Sequence, residues 1–116
     1  MELPDEIALM SLFECEPELL DAAVPYFYNQ AKYKFSNCNN EAFVIYISPS
    51  YNEIKVEVSK SDTNELISTL DLQDAKSIEI LADRKQESKI MITSESSIIK
   101  INFKPKYKIF ISQFYC

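Results

Sequence analysis

The 116-residue chain contains no glycine, no histidine and no tryptophan. Without glycine there can be no glycine-rich loop around a phosphate, neither the P-loop nor the dinucleotide fingerprint. Without histidine there is no Ser–His or Cys–His nucleophile pair, no HExxH metal site and no ordinary zinc finger. Cysteine is scarce: Cys15, Cys38 and Cys116 are odd in number and widely spaced, with no CxxC. That pattern speaks against a disulfide framework or a structural metal and suits a reducing compartment. No apolar stretch approaches the roughly 18 residues that cross a membrane. The opening MELPDEIALM lacks the basic start of a signal peptide. These absences lead us to expect a cytoplasmic protein that is not an enzyme, holds no cofactor or metal, and does not enter a membrane.

What is present suits a folded chain. Hydrophobic residues make up 47% and charged residues 26%, ordinary values for a globular protein. The length corresponds to one domain over residues 1–116, divided into an acidic helical front (1–24) and a strand-rich body (25–116).

The net charge is −6, and it is unevenly spread. From Met1 to Ala31 the acids are Glu2, Asp5, Glu6, Glu14, Glu16, Glu18 and Asp21, with no base. The remaining residues carry 11 acids and 12 bases. The last stretch, Ser96–Cys116, holds Lys100, Lys104, Lys106 and Lys108 and no acid. Asymmetry of this kind bears on partners rather than on fold.

In the front, Pro4 suits a helix start, and Asp5 and Glu6 complement the positive end of a helix dipole. Ala8, Leu9, Leu12 and Phe13, with Met10, form an apolar side, so a first helix is expected from Pro4 to about Glu14. Pro17 reads as the start of a second short helix anchored by Leu19 and Leu20 and ended by Pro25. Beyond Pro25 the apolar period becomes two. Tyr26 and Tyr28 are expected on one strand face, as are Tyr33 and Phe35. Ser36–Asn40 is a turn in which asparagine supplies positive φ. Phe43 to Ile47 reads as a central strand buried on both faces. Alternating strands follow at Ile54–Val58, Leu66–Leu72, Ile78–Ile80, Ile90–Ile92 and Ile99–Phe103, and beyond Pro105 the residues Tyr107, Ile109 and Ile111 continue the odd-numbered face. Seven or eight short strands indicate an α+β fold, mainly antiparallel β-sheet, as a sandwich or curled sheet with a short N-terminal helical segment.

The candidate chemistry is thin. Glu53 with Glu57, or Asp71 with Asp74, could be offered as paired carboxylates, but their alternation with apolar residues describes a solvated face. Cys15 lies between Glu14 and Glu16, which oppose thiolate formation. Asp62 and Glu65 are too few for a hard cation. Lysines interleaved with Phe103, Tyr107 and Phe110 could hold a single strand, although lysines also protect an edge strand and a net negative charge repels phosphate. The acidic front is more informative. Surface helices usually mix signs, and a single-sign patch becomes useful where a basic partner docks. Asp5, Glu6, Glu14, Glu16, Glu18 and Asp21 are the candidate partner-binding acids, with Tyr26 and Tyr28 as aromatic anchors.

The segments LFECEPELLDAAVPYFYN (12–29), EAFVIYI (41–47) and KYKIFI (106–111), in a short acidic glycine-free chain, resemble the small immunity proteins encoded beside bacterial polymorphic and contact-dependent inhibition toxins. No family site residue is carried over. The resemblance implies a non-enzymatic inhibitor that binds and neutralises one cognate toxin domain, a basic nuclease being the expected kind. Two other readings stay open: a structural or adaptor subunit of a homo-oligomer or larger assembly, and a single-strand-binding module using the terminal lysines.

Overall fold

The first regular element, α1, spans Glu6–Phe13 in the computed structural model, which describes residues 1–113. Cys116 lies outside the described residues. Asp5 caps the helix, its Oδ1 accepting from the Ala8 N–H at 2.8 Å, and Glu6 follows in the first turn. Pro4 precedes the cap rather than sitting inside the helix. Eight residues are too few for a helix to persist alone in water. Leu9, Leu12 and Phe13 are buried, and their packing holds α1 in place. The helix stops at Glu14, whose φ of 56° is left-handed, a conformation costing a non-glycine residue roughly 1–2 kcal/mol. An ion pair from Lys104 Nζ to the Glu14 carboxylate ties that end down.

The expected second helix does not form. Glu18–Leu19 is a two-residue strand, β1, paired with β2 (Ala31–Ser36). Pro17 and Pro25 leave only about two helical turns between them, too short to nucleate. Pairing with β2 satisfies the backbone instead, and Leu20 N–H extends it to the Gln30 carbonyl at 3.0 Å. Tyr26–Tyr28 is a short 3-10 turn rather than a strand. Pro25 sets its entry, and Asn29 takes up the backbone groups a strand would have used.

Two antiparallel meanders make up the rest. In the first sheet β1 and β2 are followed in order by β3 (Glu41–Ser48), β4 (Glu53–Lys60) and β5 (Leu66–Leu72). In the second the order is β6 (Ala75–Arg84), β7 (Glu87–Ser94), β8 (Ser97–Lys104) and β9 (Lys108–Gln113). The chain changes sheet once, between β5 and β6. Its start is pinned to β6 by a parallel bridge, with Glu2 N–H on the Lys76 carbonyl and Ile78 N–H on the Glu2 carbonyl, both at 2.9 Å.

The core lies between the sheets. Tyr33, Phe43, Ile45, Ile47, Ile54, Val56 and Val58 come from the first, and Ile78, Ile90, Ile92, Ile99, Ile101 and Phe103 from the second. The β3 run is therefore buried on one face only. Val44 and Tyr46 are half-buried because no layer covers the outer side of the first sheet. Ile111 lies opposite Ile99 in register yet is 57% exposed, since β9 is an edge strand. Lacking glycine, the chain places asparagine at three of the four left-handed positions among the described residues, Asn40, Asn52 and Asn64, as expected of the residue that tolerates that region most cheaply.

The two ends of the sandwich differ. At one end Glu41, 8% exposed, accepts at Oε1 from Asn37 Nδ2 (3.0 Å), Asn39 Nδ2 (3.1 Å) and the Tyr107 N–H (2.9 Å). Asn37 Nδ2 also donates to the Phe103 carbonyl at 2.7 Å. This carboxylate thus latches the β2–β3 hairpin to the β8–β9 connection, joining the two sheets. Burial alone would raise its pKa; the donors from Tyr107, Asn37 and Asn39, with Lys106 nearby, outweigh that and hold it below the ordinary 4.5.

A carboxyl depressed in the folded state contributes stability above its unfolded pKa and loses it as pH falls through the folded value. Glu41→Gln is therefore expected to lower unfolding free energy at pH 7 by about 1.5–3 kcal/mol, the range for hydrogen bonds to a charged group. Urea unfolding of both proteins at pH 7 and pH 3 checks this. The wild type should lose more stability than the variant between those two values.

Candidate functional site

The opposite end of the sandwich carries the loops, and Asn29 shapes them. It is 5% exposed. Its Nδ2 donates to the Asp21 carbonyl (2.5 Å) and the Val24 carbonyl (3.0 Å), and its Oδ1 accepts from Asp21 N–H (3.2 Å) and Gln30 N–H (3.0 Å). One side chain thus closes the 21–30 loop and fixes the 3-10 turn against β2. Asp21 adds a turn of its own, its Oδ1 accepting from the Ala23 N–H at 3.0 Å. Facing this loop is a second 3-10 turn, Pro49–Tyr51, ended by left-handed Asn52.

Between the two turns lies an open cleft of about 330 Å³, lined by Leu20, Asp21, Tyr28, Ser48, Tyr51 and Glu53 among others. Leu20 is 77% exposed, Tyr28 67% and Tyr51 72%, so three large side chains with apolar bodies stand in solvent around two carboxylates. No cation lines the cleft.

The outer face of the first sheet beside it is balanced. Glu18, Lys32, Tyr46, Lys55 and Asp71 stand in register across all five strands. Lys32 Nζ lies 5.5 Å from the Tyr46 ring centroid and Lys55 Nζ 5.8 Å, both within cation–π range. Lys55 also pairs with Glu57 at 3.2 Å. The row reads acid, lysine, tyrosine, lysine, acid, and each of its acids stands in register beside a lysine.

The structure separates the residues expected to bind a partner. Asp21 and Tyr28 share the cleft. Glu18 lines a neighbouring depression with Leu20, Gln30 and Tyr46, opposite Lys32. Asp5 is a helix cap and Glu14 is paired with Lys104, while Glu6 and Glu16 are exposed. Tyr26 turns inward, its hydroxyl 2.7 Å from that of Tyr33. Burial pushes both phenols up, and Glu6 adds to each shift. Sequence reading did not point to Ser48 or Tyr51, and it set Glu53 aside as a solvated acid. Pro-Ser-Tyr-Asn (49–52) reads as a turn, but only the fold brings it against the 21–30 loop.

The Cys15 thiol is pushed up by burial and lowered by a backbone contact to Lys34, rather than governed by Glu14 and Glu16. Cys38 is exposed in its turn. Phe103 is fully buried, and Tyr107 packs inward on Phe43 with its hydroxyl donating to Ser68 Oγ, so of the aromatics placed among the terminal lysines only Phe110 faces out. No group of three or more Cys, Asp or Glu is placed to hold a metal among the described residues. No helix among them is long and apolar enough to cross a membrane.

Two consecutive meanders facing each other, with one helix against the core, define a helix-capped antiparallel sandwich. The same fold occurs in a chain of a contact-dependent growth inhibition toxin–immunity protein complex from Klebsiella pneumoniae 342. That chain superimposes with a TM-score of 0.71 at 21% identity, covering 97% of this chain and 96% of the other. No family model and no curated protein sequence matches.

Two substitutions probe this end. Asn29→Ala should cost about 1–3 kcal/mol, since it leaves part-buried backbone groups of Asp21, Val24 and Gln30 without their partner, and should release amide protection specifically in residues 20–30, read by hydrogen exchange. Tyr46→Leu should cost about 1 kcal/mol through two half-exposed cation–π contacts, whereas Tyr46→Phe keeps the ring and should unfold at nearly the wild-type urea concentration.

Proposed function

We propose that this chain is an immunity protein: it binds a cognate toxin domain, neutralises it, and performs no catalysis of its own. The observation that carries this reading is the likeness of fold, over nearly the whole chain, to part of a toxin–immunity protein complex. Charge favours the inhibitor role over the toxin role. A net charge of −6 repels phosphate and suits a cationic protein partner. The partner is a basic domain, of the kind a nuclease presents to nucleic acid. The docking charge comes from the exposed acids Glu6, Glu16, Glu18 and Asp21, which act from separate positions on the front, with Lys32 beside Glu18. Glu14 contributes least, because Lys104 already answers it. The setting for such an inhibitor is the cytoplasm of the cell that makes it.

The test begins with the gene directly upstream and, where it encodes a secreted effector, uses that effector's C-terminal domain. Co-expression should restore growth of cells producing that domain, and the two proteins should co-purify. Loss of both would end the immunity reading, and a stable multimer of the chain alone would favour the assembly role. The triple variant E6K, E16K, E18K leaves the Asp5 cap and the Asn29-held loop intact. Its association rate at low salt should fall at least about tenfold, with the urea midpoint little changed. An unaltered on-rate would remove these exposed acids from the account.

A further inference from the structure

We infer that the cleft between the Tyr26–Tyr28 and Pro49–Tyr51 turns seats an arginine side chain of the toxin domain. The inference rests on the immunity reading and names the chemistry of its contact. Four observations converge on a guanidinium. First, Tyr28 and Tyr51 are exposed by 67% and 72% and line one cleft. Aromatic faces receive a planar, weakly hydrated cation better than a compact ammonium. Second, Asp21 and Glu53 line the same cleft, and neither is in any ion pair formed among the described residues. Third, Ser48 is 95% buried, its relative exposure being 5%, and it borders both this cleft and its neighbour. A serine hydroxyl in the wall is a polar group able to accept from an N–H donor. Fourth, Leu20 is 77% exposed at the rim, an apolar surface suited to the three-carbon arginine stem.

The adjoining row is built differently. Glu18 and Asp71 stand in register with Lys32 and Lys55, so the row supplies its own cations. The cleft's own lining holds two carboxylates and two exposed aromatics and no cation, the nearby Lys55 lining the neighbouring depression with Glu53 and pairing with Glu57, so a cation from the partner would complete it. It is also preformed. Asn29 and the two 3-10 turns hold its walls, which reduces the ordering cost of binding. Phosphate or a nucleic-acid backbone would meet two carboxylates and be repelled.

The test is a titration of the uniformly 15N-labelled protein followed by NMR. The probe is Nα-acetyl-arginine amide, with the neutral isostere Nα-acetyl-citrulline amide and Nα-acetyl-lysine amide as comparators. Arginine amide should shift amides of residues 20–30 and 48–54, with changes at least about threefold larger than those from citrulline, as a charge- and stacking-dependent contact requires. Lysine amide should fall between the two. The isosteric pair Asp21→Asn with Glu53→Gln should reduce the arginine response to the citrulline level while the spectrum keeps its folded dispersion. Equal responses to arginine and citrulline, or shifts centred on α1, would overturn the proposal. With the toxin domain in hand, the same double variant should bind at least about tenfold more weakly, the loss expected at an interface centre. Wild-type binding matched by the variant to within about twofold would also overturn it. Failure of the wild type to bind the toxin would instead strike the immunity reading, and the arginine titration would still decide what the cleft accepts.

Discussion

Five aromatic rings hold the molecule together. Phe13 from α1 lies 4.8 Å from Tyr33, 5.0 Å from Phe35 and 5.8 Å from Phe103, between ring centroids. Phe103 in turn meets Phe35 and Phe43 edge-on at 5.2 Å each. The helix, the first sheet and the second sheet therefore contribute rings to one cluster. Such pairs add about 0.5–1.5 kcal/mol each beyond their buried area. An eight-residue helix with a strained end, and two facing sheets with no glycine to ease their turns, both depend on this contact.

The cluster lies toward the end of the sandwich where Glu41 and Tyr107 join the sheets. Phe43 is two residues from Glu41, and Phe103 accepts the Asn37 amide through its carbonyl. With rings and a buried carboxylate securing that end, the other end needs only aliphatic packing through Ile47, Ile54, Ile92 and Ile99. It is free to carry the 20–30 and 48–52 loops, which make few demands on the core and can be shaped for recognition. Loops set on a rigid scaffold are where binding residues collect. The division explains why the acidic front does not work as one block. Asp5 starts α1 and Glu14 ends it, the latter beside Lys104 at the secured side, while Asp21 belongs to the open one.

Much of the sheet pattern was legible from period two alone. Lys55, Glu57 and Ser59 alternate with buried Ile54, Val56 and Val58, and Ile99, Ile101 and Phe103 do the same on β8. The helix start was legible in Asp5 and Glu6, and the turns in asparagine. Segment 17–28 was not, because its structure is set from outside. Glu18 and Leu19 become a strand only because the edge of β2 is available, and Tyr26–Tyr28 becomes a turn only because Asn29 reaches back to Asp21 and Val24. The β3 run looked fully buried because Val44 and Tyr46 are apolar in composition, yet Tyr46 serves as a platform for two lysines. Charge along the chain indicated where acids are, but not which ones the fold would neutralise. Lys104 reaches Glu14 across 90 residues of sequence, and no local pattern announces that.

The central claim is that recognition occurs at the open end of the sandwich, opposite the aromatic cluster. Hydrogen exchange of the protein alone and in complex with the proposed toxin partner tests this most directly. New protection should concentrate in residues 18–30 and 48–54, with β8 and β9 unchanged. Protection confined to residues 97–113, or to the Asn37–Glu41 hairpin, would contradict it.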